Sequence, residues 1–446
     1  MQGCGHSFAK SMIYHQDCRR HCGRFCLLRA VWAATSGSWG WLGVMLLCLR
    51  VAGAQSSYPS VANTWPAWSA EVKGRRVGLV IHASSTVKGA LMPEVLMAAG
   101  VEVRRIMVPE HGLREDFEAG APVGDHTDKV TRLPVVSLYG KRKGPDSSHL
   151  EGLDLVVFDL QDVGVRFYTY LSTLHYVMEA CARYRVPLLV LDRPNANDYT
   201  VDGPVLDTAY KSFVGMHPVP VLHGMTLGEL ARMIQGEAWI SHAKDLKMTV
   251  LPMEGYRRGL RLQPERPPSP NLRDSLALAW YPTLCFLEGC PVSVGRGTAR
   301  PFTVLGSPWM QKHDTCFVPL SWQGRAVTPV FQDRVCCGWN MASWQVAPDA
   351  EGRGLHPEVL IKLYSEYRAY QRIHTKRRGM VLWSVLRKSK AEREFFQPFF
   401  DKLAGGPSFR KALIRRQSAA AVRAAWQKDI DEFRMRRAPY LLYPDL

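Results

Sequence analysis

The stretch LDLVVFDLQDVGVRFYTYLSTLHYVMEACARYRVPLLVLDRPN, residues 153–195, decides the fold. Residues 153–160 form a short apolar run rich in β-branched side chains, which predicts a buried strand. Residues 186–191 form a second run of the same kind. Between the two runs, four apolar residues have the i, i+3, i+4, i+7 spacing of a helix: Leu174, Val177, Met178 and Cys181. A strand, a helix and a strand in this order are typical of a parallel α/β sheet.

The same alternation continues on both sides of this stretch. We predict further strands at residues 77–81, 101–108, 133–138 and 246–251, and helices at 90–99 and 227–235. Thr226 and Glu229 form a capping box at the start of the last helix, which gives them a structural role. A helical period also covers residues 409–436. The fold class is therefore α/β, with a Rossmann-like, mostly parallel sheet covered on both faces.

Length and composition limit the class of protein. The chain has 446 residues, of which 46% are hydrophobic and 22% charged, as in an ordinary folded protein. These values exclude a disordered, collagen-like or disulfide-scaffold chain. A proline-rich stretch at residues 264–270 suits a domain boundary, so we predict an N-terminal domain at 70–262 and a C-terminal domain at 263–446.

The first 54 residues have the features of a signal peptide. An apolar run at residues 39–49 follows Arg29 and precedes the small residues Ala52 and Ala54. The run is too short to span a bilayer, so we predict an exported, periplasmic or secreted protein without an integral membrane span. A lipoprotein anchored through Cys48 is a weaker interpretation, because Leu47 is not a small residue.

Charge and cysteine spacing indicate the kind of partner. The formal net charge is +17, which favours an anionic partner, and the predicted export argues against nucleic acid. Six cysteines follow the leader without any C-x-x-C pair, so a zinc ribbon is not expected. Their disulfide pairing cannot be read from the sequence. No HExxH, GxSxG or GxGxxG motif occurs, which disfavours a metalloprotease, a serine hydrolase and a dinucleotide-binding enzyme.

Polar side chains follow four of the predicted strands, where a parallel sheet forms its ligand crevice. These side chains are Glu110 and His111, Tyr139, the group Asp159, Asp162, Arg166 and Tyr168, and finally Arg193 and Asn195. The second half adds Asn271, Glu288 and Arg296. Each has an alternative structural role: Glu110 as a helix cap or partner of Arg114, the aspartates as loop acceptors, and Arg296 as part of a surface turn.

An ordered series of motifs resembles a known family. The motifs are PEHG (109–112), SLYG (137–140), FDLQDVGVRFYTY (158–170), LDRPN (191–195), DGPV (202–205), FVGMHPVPVLHGMTLGEL (213–230), PSPN (268–271), EG (288–289), SVGRGT (293–298) and WQKDIDEFRMRRAPYLLY (426–443). They resemble the exo-β-N-acetylmuramidase family typified by NamZ, also known as domain of unknown function 1343. The resemblance covers nearly all of the chain after the leader.

This resemblance implies both the architecture and the activity. The family joins a Rossmann-like domain to a smaller α+β C-terminal domain, with the active site in the cleft between them. Its members remove N-acetylmuramic acid from the non-reducing end of peptidoglycan fragments, in cell-wall turnover and recycling. The implied partners are muropeptides or disaccharides, and no cofactor or metal is implied. The oligomeric state and the stereochemical outcome do not follow from the sequence.

Position and residue type suggest a role for each candidate. We expect Glu110 to be the general acid/base, with Glu288 as the second carboxylate and Asp162 as its rival. Arg166, Arg193 or Arg296 would hold the lactyl carboxylate of the substrate. His111 would position the substrate, and Tyr168, Asn195 and Asn271 would bind its hydroxyl or acetamido groups.

Two other interpretations stay open at this point. A catalytically silent peptidoglycan-binding protein of the cell surface would bind muropeptides without releasing N-acetylmuramic acid. A nucleotide-dependent enzyme would use the Rossmann-like half, although the glycine fingerprint of such enzymes is absent.

Overall fold

The computed structural model describes residues 60–114, 124–259, 264–310, 313–344, 354–378 and 395–445. The predicted signal peptide, residues 1–54, lies outside the described residues. The predicted domain boundary at residues 262 and 263 also lies outside them and stays a prediction.

A seven-stranded, mostly parallel sheet forms the centre of the first half. The seven strands, in the order in which they lie across the sheet, are β5 (His126–Thr127), β6 (Pro134–Ser137), β4 (Glu102–Val108), β1 (Arg76–Ile81), β7 (Leu155–Asp159), β8 (Leu188–Leu191) and β9 (Met248–Leu251). Only the pair formed by β5 and β6 is antiparallel among these strands. The chain builds outward from β1 on one side and then crosses to β7 on the other. The carboxyl ends of β1, β4 and β7 therefore meet at the point where the strand order reverses.

Hydrophobic layers cover both faces of this sheet. Alternate residues along a strand point to opposite faces, and accordingly Val80 and Val156 belong to one buried cluster while Leu79 and Val157 belong to the other. Burial on both faces explains why the strands read as continuous apolar runs in the sequence. The α/β fold class predicted from those runs is confirmed.

The described residues of the first half contain four α-helices: α1 (Met92–Ala98), α2 (Ser147–Leu150), α3 (Tyr170–Tyr184) and α4 (Leu227–Gly236). The capping box at α4 is confirmed, because the Thr226 hydroxyl accepts from the amide of Glu229 and the Glu229 carboxylate accepts from the amide of Thr226. The predicted helix at 90–99 is shorter than expected. Its first two residues instead form β3 (Ala90–Leu91), which pairs with β2 (Thr86–Val87).

The second half has a smaller sheet than the first half and is richer in helices. It contains a three-stranded antiparallel sheet of β10 (Val304–Ser307), β12 (Cys336–Asn340) and β11 (Thr315–Phe317), in that order. A disulfide joins Cys316 on β11 to Cys337 on β12. The helices are α5 (Ser275–Leu284), α6 (Pro357–Arg378), α7 (Pro398–Ala404), α8 (Ser408–Ile414) and α9 (Ala419–Arg437). A 3₁₀ turn, Cys285–Gly289, follows α5.

The helical period at residues 409–436 is divided between two helices, α8 and α9. Arg416 adopts a left-handed conformation with φ of 57° after α8. Ser418 then caps α9 by accepting a hydrogen bond from the amide of Ala421. A left-handed residue followed by an N-cap ends one helix and starts another, which the apolar spacing does not reveal.

Candidate active site

Residues from both halves of the chain line one cavity of about 340 Å³. This volume lies within the range of small-molecule sites, about 300–1,000 Å³. The first half contributes Glu110, His111, Tyr139, Phe167, Tyr168, Thr169 and Val214. The second half contributes Ser269, Leu272, Tyr281, Cys285, Glu288, Arg296, Phe302, Arg325, Ala326, Thr328, Pro329, Val330, Phe399 and Leu403. The sequence therefore folds so that Glu110 and Glu288, predicted as the two carboxylates, face the same space.

Glu110 lies two residues beyond the carboxyl end of β4 and is buried. Its Oε2 accepts a hydrogen bond of 2.8 Å from the hydroxyl of Thr169. The phenol of Tyr139, which follows β6, lies near the Glu110 carboxylate; burial, together with the charge of Glu110, raises the pKa of this phenol. The hydroxyl of Thr169 positions the carboxylate at the cavity wall, as is required of an acid or base.

The backbone beside Glu110 is bent sharply. His111 has a φ of 78° and Gly112 a φ of 74°, so two consecutive residues adopt left-handed conformations. Such a conformation is uncommon for a residue with a side chain, and it tends to occur where a site requires it. The bend directs the chain away from β4 and places the predicted positioning residue, His111, in the cavity lining.

Lys143 contributes a positive charge near this carboxylate. Its Nζ lies 4.5 Å from the ring centroid of Tyr139 and 4.1 Å from that of Phe213. Burial lowers the pKa of Lys143, and the charge of Glu110 opposes that shift. The ammonium group is thus held by cation–π contacts beside the phenol of Tyr139.

Glu288 and Arg296 form an ion pair in the opposite wall. Glu288 belongs to the 3₁₀ turn after α5, and its Oε1 lies 2.6 Å from the Nε of Arg296. The side chains of the two residues keep 23% and 24% of their surface exposed. Among the described residues, the buried Nη1 of Arg296 has no hydrogen-bond partner. Arg296 lines the cavity, and a partly exposed guanidinium in a cavity wall is suited to bind a carboxylate.

Glycines on either side of Arg296 shape its turn. Gly295 and Gly297 have φ values of 79° and 77°, a region that glycine adopts without steric cost. The ring of Phe302 lies 5.0 Å from the guanidinium and supports its position. The sequence prediction of an Arg presented by a glycine-permitted turn is consistent with this geometry.

A thiol and a phenol, those of Cys285 and Tyr281, lie next to Glu288. The Sγ of Cys285 lies 3.9 Å from the Oε2 of Glu288. Burial raises the pKa of Cys285 and of Tyr281 well above their ordinary values. Both groups are therefore neutral and lie beside the pair formed by Glu288 and Arg296. A neutral, buried thiol is a poor nucleophile, so Cys285 has a packing role.

Tyr168 and Asn271 are close to the cavity, but their polar groups already have protein partners. The hydroxyl of Tyr168 donates to the carbonyl oxygen of Pro268 at 2.7 Å, while its ring lines the cavity. The Nδ2 of Asn271 donates to the carbonyl oxygen of Arg325 at 3.0 Å. These contacts join the loop at residues 268–271 to both sides of the cavity, and direct contact of either polar group with substrate stays a prediction.

Asp162 does not line the cavity. It is buried, and its Oδ1 accepts from the amide of Gly164 at 2.6 Å, while Oδ2 has no partner within the described part of the chain. Burial raises its pKa to about 7, against the opposing effect of the backbone hydrogen bonds from Gly164 and Val163. Its charge contributes to the raised pKa of Tyr168, so it lies near this residue, although it is not among the residues that line the cavity.

The structure does not bring Arg166 into the cavity. Arg166 is fully buried, its Nη1 donates to the carbonyl oxygens of Pro204 and Val219, and its Nη2 donates to that of Leu403. These three bonds hold distant loops together, while the buried Nε has no partner among the described residues. Its predicted contact with a lactyl group therefore has no support in this geometry.

Arg193 and Asn195 are likewise engaged in the interior. Arg193 forms a two-pronged bond with Asp159, with its Nε 2.5 Å from Oδ1 and its Nη2 2.7 Å from Oδ2. Asn195 donates to the carbonyl oxygen of Met225 and accepts from the amide of Asn197. Neither side chain lines the cavity. Both geometries indicate a structural role rather than the predicted binding role.

Sequence reasoning assigned no role to several residues of the site. Thr169 lies in the motif that carries Tyr168, yet its single hydroxyl gave no signal of a bond to Glu110. His82 follows β1, and its Nε2 accepts from the amide of Gln161 at 3.0 Å. Burial lowers the pKa of His82 well below its ordinary value, so the ring is a neutral acceptor that joins the ends of β1 and β7. The position of His82 at a strand end was the available signal.

Two kinds of feature are absent from the described residues: a cluster of metal ligands and a membrane-spanning helix. Within the described ranges, no three potential ligands from His, Cys, Asp and Glu lie close enough to hold a metal ion. Across the same ranges, no helix combines the length and the hydrophobicity that a membrane span needs.

Comparison with known families accounts for most of the chain. Residues 77–276 match the family described as exo-β-N-acetylmuramidase NamZ, N-terminal, and residues 279–443 match the corresponding C-terminal family. The chain is 31% identical over 399 residues to the peptidoglycan β-N-acetylmuramidase NamZ of Bacillus subtilis strain 168. The alignment covers 85% of this chain and 89% of that protein.

Solved structures with the same fold come from Bacteroides fragilis NCTC 9343. One DUF1343 family protein is 35% identical with a TM-score of 0.74, over 87% of this chain and 99% of that one. A second DUF1343 family protein is 26% identical with a TM-score of 0.67, over 84% and 96% of the two chains. The architecture described above is thus shared along almost the full length of both proteins.

Proposed function

The chain belongs to the NamZ family of exo-β-N-acetylmuramidases, which are glycosidases, and on that premise we propose that it removes N-acetylmuramic acid from the non-reducing end of peptidoglycan fragments. One observation carries the proposal: Glu110, Glu288 and Arg296 line the same cavity. The cavity thus combines two carboxylates with a donor for the lactyl carboxylate.

Glu110 is the proposed general acid/base. It lies at the switch point of the sheet, the hydroxyl of Thr169 donates to its carboxylate, and the phenol of Tyr139 lies nearby. In its protonated form it would deliver a proton to the glycosidic oxygen as the bond to the leaving sugar breaks.

Glu288 is the proposed second carboxylate. Its Oε1 is bonded to Arg296, and its Oε2 lies next to the thiol of Cys285. A carboxylate held in this way can stabilise positive charge on the sugar ring or orient a water molecule. The acetamido group of the substrate is the other candidate for this task, and Asp162 stays a rival, although it is not among the residues that line the cavity.

The decisive experiment uses the disaccharide of N-acetylmuramic acid linked to N-acetylglucosamine. Incubation followed by mass spectrometry should show both free sugars, and the Glu110→Gln variant should release neither at a comparable rate. Saturable binding of the disaccharide without release of either sugar would instead support a silent peptidoglycan-binding protein. The absence of both binding and release would contradict the proposal.

Export belongs to the proposed function, because peptidoglycan lies outside the cytoplasmic membrane. The disulfide between Cys316 and Cys337 supports an oxidising compartment, where such bonds persist. N-terminal sequencing of the protein recovered from cell fractions should give a start near Gln55 in the periplasmic or secreted fraction. A chain that keeps its first residues and stays in the cytoplasm would contradict export. The role in cell-wall recycling is proposed on the same premise.

A further inference from the structure

A small hairpin carries an exposed tryptophan beside the cavity. The amide of Trp322 donates to the carbonyl oxygen of Ala326 at 2.9 Å, and the amide of Ala326 donates back to the carbonyl oxygen of Trp322 at the same distance. The guanidinium of Arg325 lies 4.0 Å from the centre of the Trp322 ring. Trp322 nevertheless keeps 39% of its surface exposed, which is unusual for the largest aromatic side chain.

The hairpin is continuous with the wall of the cavity. Arg325 and Ala326 line the cavity, so the guanidinium that covers the indole also reaches the space shared by Glu110 and Glu288. The carbonyl oxygen of Arg325 is held by the amide of Asn271 at 3.0 Å. The indole therefore lies just outside the cavity lining, next to the side chain of Arg325.

The segment leading to the hairpin is fixed to the turn of Arg296. The amide of Leu320 donates to the carbonyl oxygen of Gly297 at 2.9 Å. A side chain at Gly297 would collide with the backbone of Leu320 and the ring of Pro329, so this close approach requires glycine. The hairpin is thus held in a defined place relative to the ion pair of Glu288 and Arg296.

Apolar side chains around the hairpin face solvent. Leu320 is 53% exposed, and Val330, which also lines the cavity, is 49% exposed. Together with Trp322 they form an apolar surface at the outer side of the cavity. A cluster of this kind next to a polar site indicates a binding surface.

From these contacts we infer that Trp322 and Arg325 form the subsite for the leaving sugar, the pyranose on the reducing side of the cleaved bond. This inference rests on the proposed exo-acting function. The terminal sugar occupies the cavity beside Glu110. The rest of the fragment must therefore extend toward solvent, across the part of the cavity lining that continues into an exposed surface. A pyranose has a C–H face that packs on an indole and hydroxyl groups that accept from a guanidinium.

The test compares two substrates that differ only in what leaves. The muramyl disaccharide has a leaving pyranose, whereas β-N-acetylmuramyl fluoride has none. Trp322→Ala should lower kcat/KM for the disaccharide by about tenfold, the effect of losing one aromatic contact, and change fluoride release by less than about twofold. Trp322→Phe should recover most of the loss. Val335→Ala, which removes an exposed apolar side chain outside the hairpin, is the matched control and should change neither rate.

Two results would overturn the subsite: equal losses for both substrates in Trp322→Ala, or no loss for the disaccharide. If the wild-type protein hydrolyses neither substrate, the proposed function fails by itself. Calorimetric titration with the disaccharide then decides the subsite separately. About tenfold weaker binding to Trp322→Ala than to wild type would support it, and equal binding would overturn it.

Discussion

Two pairs of arginine and carboxylate in this molecule have the same chemistry and opposite surroundings. Arg193 and Asp159 lie in the interior at the ends of β8 and β7, with 5% and 0% of their side-chain surface exposed. Arg296 and Glu288 lie in the cavity wall, with 24% and 23% exposed. The first pair is joined by two bonds, and in the second the Nη1 of Arg296 lacks a partner among the described residues.

The comparison teaches that access to the cavity, rather than residue type, separates a site from a scaffold. A guanidinium enclosed in the interior stabilises the fold, as those of Arg166 and Arg193 do. A guanidinium in the wall of a cavity can act on a ligand. The following predictions would break or sharpen this distinction.

The largest expected effect is on catalysis at the cavity wall. Glu110→Gln should lower kcat for muramyl substrates by about 10²- to 10⁴-fold, since an amide cannot supply the proton that the leaving oxygen needs. The free energy of unfolding should change little. The rate is measured with a chromogenic muramic acid glycoside, and Glu102→Gln on the same strand serves as the control. A fully active Glu110→Gln variant would remove the acid assignment.

The second effect is on the stability of the interior pair. Arg193→Met should lower the free energy of unfolding by about 3–5 kcal/mol, because it leaves Asp159 buried without its charged partner. Arg296→Met should cost less than about 1 kcal/mol, because water can reach the pair in the cavity wall. Urea unfolding measures both variants. Equal losses of stability would contradict the distinction between the two pairs.

The third effect is on recognition of the lactyl carboxylate. Arg296→Lys keeps a positive charge next to Glu288 but removes the planar donor Nη1, so binding of free N-acetylmuramic acid should weaken about tenfold. Binding of N-acetylglucosamine, which lacks the lactyl group, should stay the same. Competition assays measure both sugars, with Arg300→Lys as the exposed control. A loss shared by both sugars would show that Arg296 does not read the lactyl group.

The fourth effect is the pH dependence of stability contributed by Asp162. Burial raises its pKa to about 7, against about 3.9 in an unfolded chain. The folded protein therefore holds this proton more tightly, so its contribution to stability is complete below about pH 4 and is lost as the pH rises to about 7. The slope is at most about 1.4 kcal/mol per pH unit, and Asp162→Asn should remove it from unfolding curves across this window.

Activity of the same variant tests the rival assignment. Asp162→Asn should retain most of the wild-type rate, because Asp162 is not among the residues that line the cavity. A loss of activity as large as that of Glu110→Gln would instead identify Asp162 as the second carboxylate.

The sheet could be predicted because parallel strands are buried on both faces and read as continuous apolar runs. The strand that becomes Leu155–Asp159 and the capping box at Thr226 are local signals of this kind. The position of Glu110 at the cavity was also within reach, since strand ends converge at one edge of a sheet, whereas Glu288 follows no strand and was linked to Glu110 through the family resemblance.

The different roles of the arginines could not be predicted in the same way. Arg166 and Arg296 both occur in loops after regular elements, and their separate roles depend on partners far along the chain, such as the carbonyl oxygen of Leu403, 237 residues after Arg166. Arg325 and Trp322 follow no predicted strand, so nothing in their spacing linked them to the cavity. Long-range contacts of this kind are decided by packing, which local sequence patterns do not encode.

The bond from Arg166 to Leu403 makes the cavity depend on the C-terminal part of the chain. The wall of the cavity includes Phe399 and Leu403, so it is complete only when the C-terminal part of the chain is in place. A fragment that ends near residue 276 contains Glu110, yet it lacks Glu288, Arg296 and the carbonyl that secures Arg166. We therefore expect chains truncated at this point to lack activity toward muramyl substrates.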